Sequence, residues 1–275
     1  MKKSTNINFH QTFYPDLQHI SKINIEIANN YDEITKEEIS NITGIPTGKS
    51  SGKVEPHIYY SNFMNLIEYE KASGKYRIIR TELGELVSEE DPYFLEDITK
   101  QICNYFLTSK FFGADIWFYI CRKLVFQYGN NLSEKLIKES TEKEFNVELL
   151  NLTPFRSCYL TNNSLQSINF IDIDNNIYIF KPLRYNPQYA YAYAYTLIKE
   201  LEEYDSKRKE FTVNEVFNEI LWNRGFGWNE DEAMSVIEKI SEKGILNINR
   251  QLNPATVLIN KNSGDLLSNI YSLLI

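Results

Sequence analysis

Lys49, Ser50, Ser51 and Lys53 run directly into His57, Tyr59, Tyr60 and Asn62 on one short stretch of chain. Lysine and serine set between Gly48 and Gly52 let donors and backbone come close to a phosphate strand. An imidazole, two phenols and a carboxamide in the first half of the helix that follows are groups able to read base edges in a major groove. Lys75, Arg77 and Arg80 extend the cationic series onto a hairpin, where they can brace DNA backbone. The chemistry implied is non-covalent recognition of duplex DNA. Tyr59 and Tyr60 equally suit packing against neighbouring helices, and Arg77 and Arg80 a solvated strand face, so both readings stand on the sequence alone.

Nothing in the chain assembles a catalytic centre. Gly44-Ile-Pro-Thr-Gly48-Lys-Ser has one residue too few between its glycines for a phosphate loop, and a helix precedes it instead of a strand. Asp172, Asp174 and Lys181 flank a turn, which accounts for them better than a metal-dependent nuclease core. His10, His19 and His57 are scattered and share no zinc spacing. Cys103, Cys121 and Cys158 are an odd number with large apolar or aromatic neighbours, as buried thiols in a reducing compartment would be. The expectation is no enzyme, no cofactor and no metal.

The composition is that of a folded protein, 43% hydrophobic over 275 residues. No apolar run is long enough to cross a bilayer, and the opening MKKSTNINFHQTFYP lacks the apolar core of a signal peptide. A cytoplasmic protein with no membrane partner is expected. The net charge of −8 argues against indiscriminate coating of nucleic acid. Its distribution is uneven: six cations face three carboxylates from Gly44 to Arg80, whereas seven carboxylates face Lys100 alone from Thr81 to Lys100.

Two segments spell the same small architecture. From Thr35 to Leu83 the order is capped helix, Gly-rich turn, second helix and hairpin, and from Thr212 to Ile259 it recurs. Before the first copy, Asp16 opens a helix with Ile20, Ile23 and Ile27 on one stripe. Between the copies, helices are expected after Asp91-Pro92, over Gly113 to Tyr128 and over Leu132 to Phe145, with a tight hairpin turning on Asn175-Asn176. Asn186-Pro187 starts a tyrosine-lined helix of the kind found between domains, and an amphipathic tail follows Ser263; together they could seat a partner. The fold class predicted is mainly α, two winged helix-turn-helix modules flanking a central helical region with a small β-hairpin. The corresponding domains are 1–90, 91–205 and 206–275.

Phe9-His-Gln-Thr-Phe13, the run from Thr43-Gly-Ile-Pro-Thr-Gly-Lys-Ser-Ser-Gly-Lys-Val-Glu-Pro to His57, Thr81-Glu-Leu-Gly84 and Asp91-Pro-Tyr93 resemble domain-of-unknown-function family 4007. The likeness spans nearly the whole chain. It implies a bacterial protein often encoded beside phosphoadenosine-phosphosulfate-reductase-like genes, in islands for DNA phosphorothioate modification or phage defence. No catalytic residues come with it. The function expected is a non-catalytic DNA-binding accessory subunit of such a system, with duplex DNA and a protein of the same system as partners. The alternative is a protein adaptor that docks a sulfur-transfer or ATPase partner without touching DNA.

Overall fold

The structure, a computed structural model, describes residues 7–48, 52–148, 150–251 and 253–274. Packing divides it into two units: one runs to Lys181 without Ser109–Phe111, the other comprises that tripeptide and the chain from Pro182. The fold is mainly α, with three small antiparallel sheets of three strands each among the described residues.

In the first unit α1 (Leu17–Lys22) starts where the Asp16 carboxylate accepts from the Gln18 amide at 3.0 Å, satisfying a donor that a helix start leaves unpaired. It continues as a wider turn over Ile23–Ile27. Ile20, Ile23 and Ile27 are all buried, as their spacing predicts. β1 (Ile34–Thr35) leads straight into α2 (Lys36–Thr43), because Thr35 and Glu38 each accept the other's amide hydrogen. Gly44, at φ +71°, stops the helix in left-handed backbone that suits glycine. α3 (Val54–Phe63), β2 (Ile67–Ala72) and β3 (Lys75–Arg80) follow. Ser73 and Gly74 turn the hairpin at positive φ. β3 is central in the order β1-β3-β2, with Ile34 opposite Tyr76.

α4 (Glu82–Glu90) begins at the Thr81 cap and α5 (Asp97–Leu107) follows it. α6 (Asp115–Phe118), a wider turn over Tyr119–Leu124 and α7 (Val125–Tyr128) form one continuous helical run that buries Trp117, Ile120, Cys121 and Leu124. β4 (Asn131–Ser133), α8 (Glu134–Phe145), α9 (Thr153–Leu160), β5 (Ile171–Asp174) and β6 (Ile177–Phe180) complete the unit. Ser133 caps α8 by accepting from the Leu136 amide, and Asn175 and Asn176 make the predicted turn at positive φ. The order is β4-β6-β5, with Leu132 opposite Tyr178. Cys103, Cys121 and Cys158 are buried free thiols.

The second unit opens on α10 (Ala190–Tyr204), reached through the Asn186 cap and Pro187. β7 (Glu210–Thr212) ends in the predicted Thr212–Glu215 exchange of hydrogen bonds. The helix expected beyond it is a short run over residues 213–219 that ends in the wider turn Glu215–Glu219, and Leu221 at φ +62° breaks it. α11 (Glu230–Glu242) starts at the Asn229–Glu232 box, and β8 (Leu246–Asn249) and β9 (Thr256–Ile259) close the order β7-β9-β8 with Phe211 opposite Val257.

One order of elements therefore occurs three times, where the sequence shows two: helix, short strand, two helical segments, hairpin. The central region, expected as helices plus a hairpin, gains β4 as a third strand. Leu132 is the one buried residue of that strand, so there is no alternation to detect.

Candidate nucleic-acid interface

α3 packs against α1, α2, β2 and α5, which leaves little of its circumference for a ligand. Glu55 and Tyr59 are half-buried and the other eight residues are buried. His57, 1% exposed, accepts the Asp16 amide hydrogen at Nε2 (3.1 Å) and donates from Nδ1 to the Lys53 carbonyl (2.6 Å). An amide only donates and a carbonyl only accepts, so the ring is neutral with its proton on Nδ1. Burial pushes its pKa down to about 4. Tyr60 donates to the Phe13 carbonyl at 3.0 Å and packs its ring on Phe9 and Trp117. Asn62 donates to the Ile67 carbonyl at 2.8 Å. The expectation that these three meet base edges is corrected: each directs a polar group at backbone inside the unit, and breaking such a bond costs about 1–3 kcal/mol.

Lys53 heads α3, its amide donating to the Pro46 carbonyl at 2.8 Å and its ammonium 5.8 Å from the Phe13 ring. Lys49, Ser50 and Ser51 lie outside the described residues. Gly52 lies so close to Thr47 and Gly48 that a Cβ on it would meet Thr47 and the Gly48 amide nitrogen at 2.9 Å.

Side chains alternate across a strand, and this separates the hairpin cations. Tyr69 and Lys71 share a face with the buried Tyr76 and Ile78, and Lys71 reaches Glu55 of α3 at 2.6 Å. Lys75 and Arg77 belong to the opposite, solvated face, where Arg77 sits across from Glu70. Lys75 pairs with Glu33 at 2.9 Å; Arg80 pairs with Glu85 at 2.9 Å and donates to the Asn24 carbonyl. Of the expected cations, Lys53 and Arg77 make no ion pair among the described residues. Glu33 and Glu85 come from outside the stretch Gly44 to Arg80, so they are invisible to a charge count along it.

Tyr69 and Lys36, which lie beside α3, were not among the expected site residues. Tyr59 lies 5.5 Å from the half-buried Tyr69 ring. Burial, reinforced by Tyr59 and Glu55, pushes the Tyr69 phenol up to about 12. Glu55 accepts from Lys71 and from the Tyr76 hydroxyl, and Lys36 stands 3.9 Å from it. Two half-buried tyrosines and two lysines sharing one carboxylate are what remains on this side for a polyanion. The signal was the alternation of Tyr69 with Lys71 on β2.

The second unit buries part of its own expected docking face and leaves Tyr189, Tyr191, Leu267, Leu273 and Leu274 half-buried. Tyr193 and Tyr195 of α10 are buried, Tyr193 against Phe226 and Trp228. In the tail Leu266 and Ile270 are buried, and Ser263 is fastened to Glu202. Among the described residues no group of three or more His, Cys, Asp or Glu is arranged to hold a metal, and no helix is long and apolar enough to cross a membrane.

A mainly α chain with three small sheets is thus the class that the architecture defines. Two solved structures share it: that of magnesium ion-bound SspB, at TM-score 0.73, and that of SspB, at TM-score 0.71. Each is 14% identical to this chain, and each alignment covers 96% of this chain and 86% of the other. No family model matches the chain, and no curated protein does.

Proposed function

We propose that this chain is a non-catalytic accessory subunit of a bacterial phosphorothioation-type DNA-modification system or phage-defence system, acting as a protein adaptor for a sulfur-transfer or ATPase partner. The resemblance to family 4007 supports the setting. The recurring strand, helices and hairpin support reading the modules as winged helix-turn-helix units, which serve protein contacts as well as DNA. The observation that carries the adaptor reading is the interior position of His57, Tyr60 and Asn62, combined with cations already paired to carboxylates. At Lys71, Lys75 and Arg80 a duplex must displace a carboxylate before it gains a phosphate contact. Magnesium belongs to one of the SspB structures; the described residues here offer no three-ligand group for it, and no step of this reading uses a metal.

The test is titration of the full chain with duplexes, with and without phosphorothioate links, beside co-purification with the products of neighbouring genes. Weak, sequence-independent duplex binding and a stable protein complex are expected. Tight, sequence-selective binding by the isolated chain would overturn the adaptor reading.

A second reading keeps direct DNA contact, on the strength of the half-exposed Tyr59 beside Tyr69, Lys36 and Lys71. There the chain is a DNA-binding accessory subunit that grips backbone and stacks rings, without reading sequence through α3.

A further inference from the structure

Asp91 follows α4 and is buried. Its carboxylate accepts from the Leu95 amide at 2.7 Å, the Glu96 amide at 3.0 Å and the Thr99 hydroxyl at 2.6 Å. Ser21 donates to the Pro92 carbonyl at 2.6 Å, and the Phe94 amide to the Asp91 carbonyl at 3.1 Å. Phe94 is buried although its φ is +55°, left-handed backbone that a side chain disfavours. The loop is thus fixed along its length, and it holds two large side chains in water. Tyr93 is 71% exposed and Leu95 74%, the highest values for large hydrophobic residues among those described.

The surroundings are mostly acidic; one cation, Lys100, donates to the Leu95 carbonyl at 3.2 Å and stands 3.4 Å from Asp97. Glu89, Glu90 and Glu96 are exposed. Glu89 and Glu90 occupy the last turn of α4, which contains no basic residue, and a helix C-terminus already carries partial negative charge. Left-handed backbone at Phe94 and like charge at the helix end both work against the isolated fold. Both become useful if an apolar pair inside an anionic rim must be held ready for a partner.

We propose that Tyr93 and Leu95, rimmed by Glu89, Glu90 and Glu96, dock a lysine- or arginine-rich segment of a partner protein that presents an apolar side chain between its cations. Prior ordering of the loop removes the cost of fixing it on binding. An aromatic and an aliphatic anchor supply the contact, and the rim selects the sign of the partner's charge. DNA has the wrong sign, and two copies of this chain, each at net charge −8, repel one another overall. The inference rests on the adaptor reading and names the chemistry of its partner.

The probe is a short labelled peptide of lysine, arginine and leucine, compared with one carrying serine for every leucine and one carrying glutamate for every cation. Fluorescence anisotropy with the full chain is expected to show the first binding about tenfold more tightly than either control. Tyr93→Ser/Leu95→Ser should abolish that preference with an unchanged thermal melt, since neither side chain is in the core. Equal binding of the leucine and serine peptides, or a preference that survives the double substitution, overturns the proposal. Self-association that the double substitution removes also overturns it, in favour of a second copy. A partner complex that persists in the double variant refutes this surface and leaves the adaptor reading standing; lost peptide preference in a chain that binds duplexes tightly and selectively does the reverse.

Discussion

Leu132 on β4 lies directly opposite Tyr178 on β6, and both are sealed from solvent. Ile34 stands in the same relation to Tyr76, and Phe211 to Val257. In all three modules the next residue is a hydroxyl, Thr35, Ser133 or Thr212, whose oxygen accepts an amide hydrogen from the first turn of the following helix. Two residues thus fix a strand, its register and a helix start. Leu132→Ala is expected to destabilise the first unit by about 2–5 kcal/mol, as Ile34→Ala should. Denaturant unfolding followed by tryptophan fluorescence and circular dichroism would check it. A loss under about 0.5 kcal/mol would make β4 a mere edge contact.

Residues that act on their own neighbours were legible in the sequence. The Thr35–Glu38 and Asn229–Glu232 boxes and the Asn175-Asn176 turn are local chemistry, and each occurs where the pattern places it. β4 was not legible, because its partner lies far along the chain at β6 and a short strand has no period. The candidate site misled for a related reason. In VEPHIYYSNF polar and apolar residues are mixed around the helix, so no face announces itself as inner. The polar groups of His57, Tyr60 and Asn62 are satisfied by backbone that only the tertiary fold brings near.

Glu215 makes the second unit acid-sensitive. The bidentate Arg208 guanidinium, with the Thr212 amide and hydroxyl, holds its carboxyl down to about 2, against an ordinary value of 4.5. The unfolded carboxyl takes up a proton first, so the stabilisation is complete above pH 4.5 and is lost as pH falls towards 2. Glu215→Gln should lower the melting temperature at pH 7 and flatten its fall over that window. An unchanged pH dependence would mean that the pair is not formed in solution.

Gly84 tolerates no side chain. A Cβ there would lie 1.8 Å from the Leu66 carbonyl oxygen, and that oxygen already accepts from the Thr81 amide at 3.0 Å. Gly84→Ala is expected to cost roughly 2–3 kcal/mol by overpacking, although alanine is the better helix former. Equilibrium unfolding that shows a neutral or stabilised variant would refute this close approach.

His57 titrates as an interior group. Its pKa is near 4 when folded and its ordinary value is 6.5, so the unfolded chain binds the proton first and the first unit loses stability as pH falls from 6.5 towards 4. Nitrogen chemical shifts of the ring should show a neutral, Nδ1-protonated imidazole at pH 6. A midpoint near 6.5 would place the ring in solvent and reopen its role at a base edge.

The two faces of the β2–β3 hairpin separate the two readings of DNA contact. Lys71 shares Glu55 with Lys36 on the side of Tyr59, whereas Lys75 and Arg77 stand on the other side of the sheet. A flat phosphate strand cannot engage both sets through one surface. If the chain grips backbone beside α3, Lys36→Ala/Lys71→Ala should weaken duplex binding and reduce the slope of log affinity against log salt by about 2, while Lys75→Ala/Arg77→Ala leaves it nearly unchanged. If the hairpin acts as a wing, the dependence is reversed. Glu55 adds an internal check, because Glu55→Gln frees both lysines at once and should tighten binding only if that face meets DNA. Titrations at several salt concentrations that show no change for any of these variants would leave protein docking as the role of the module.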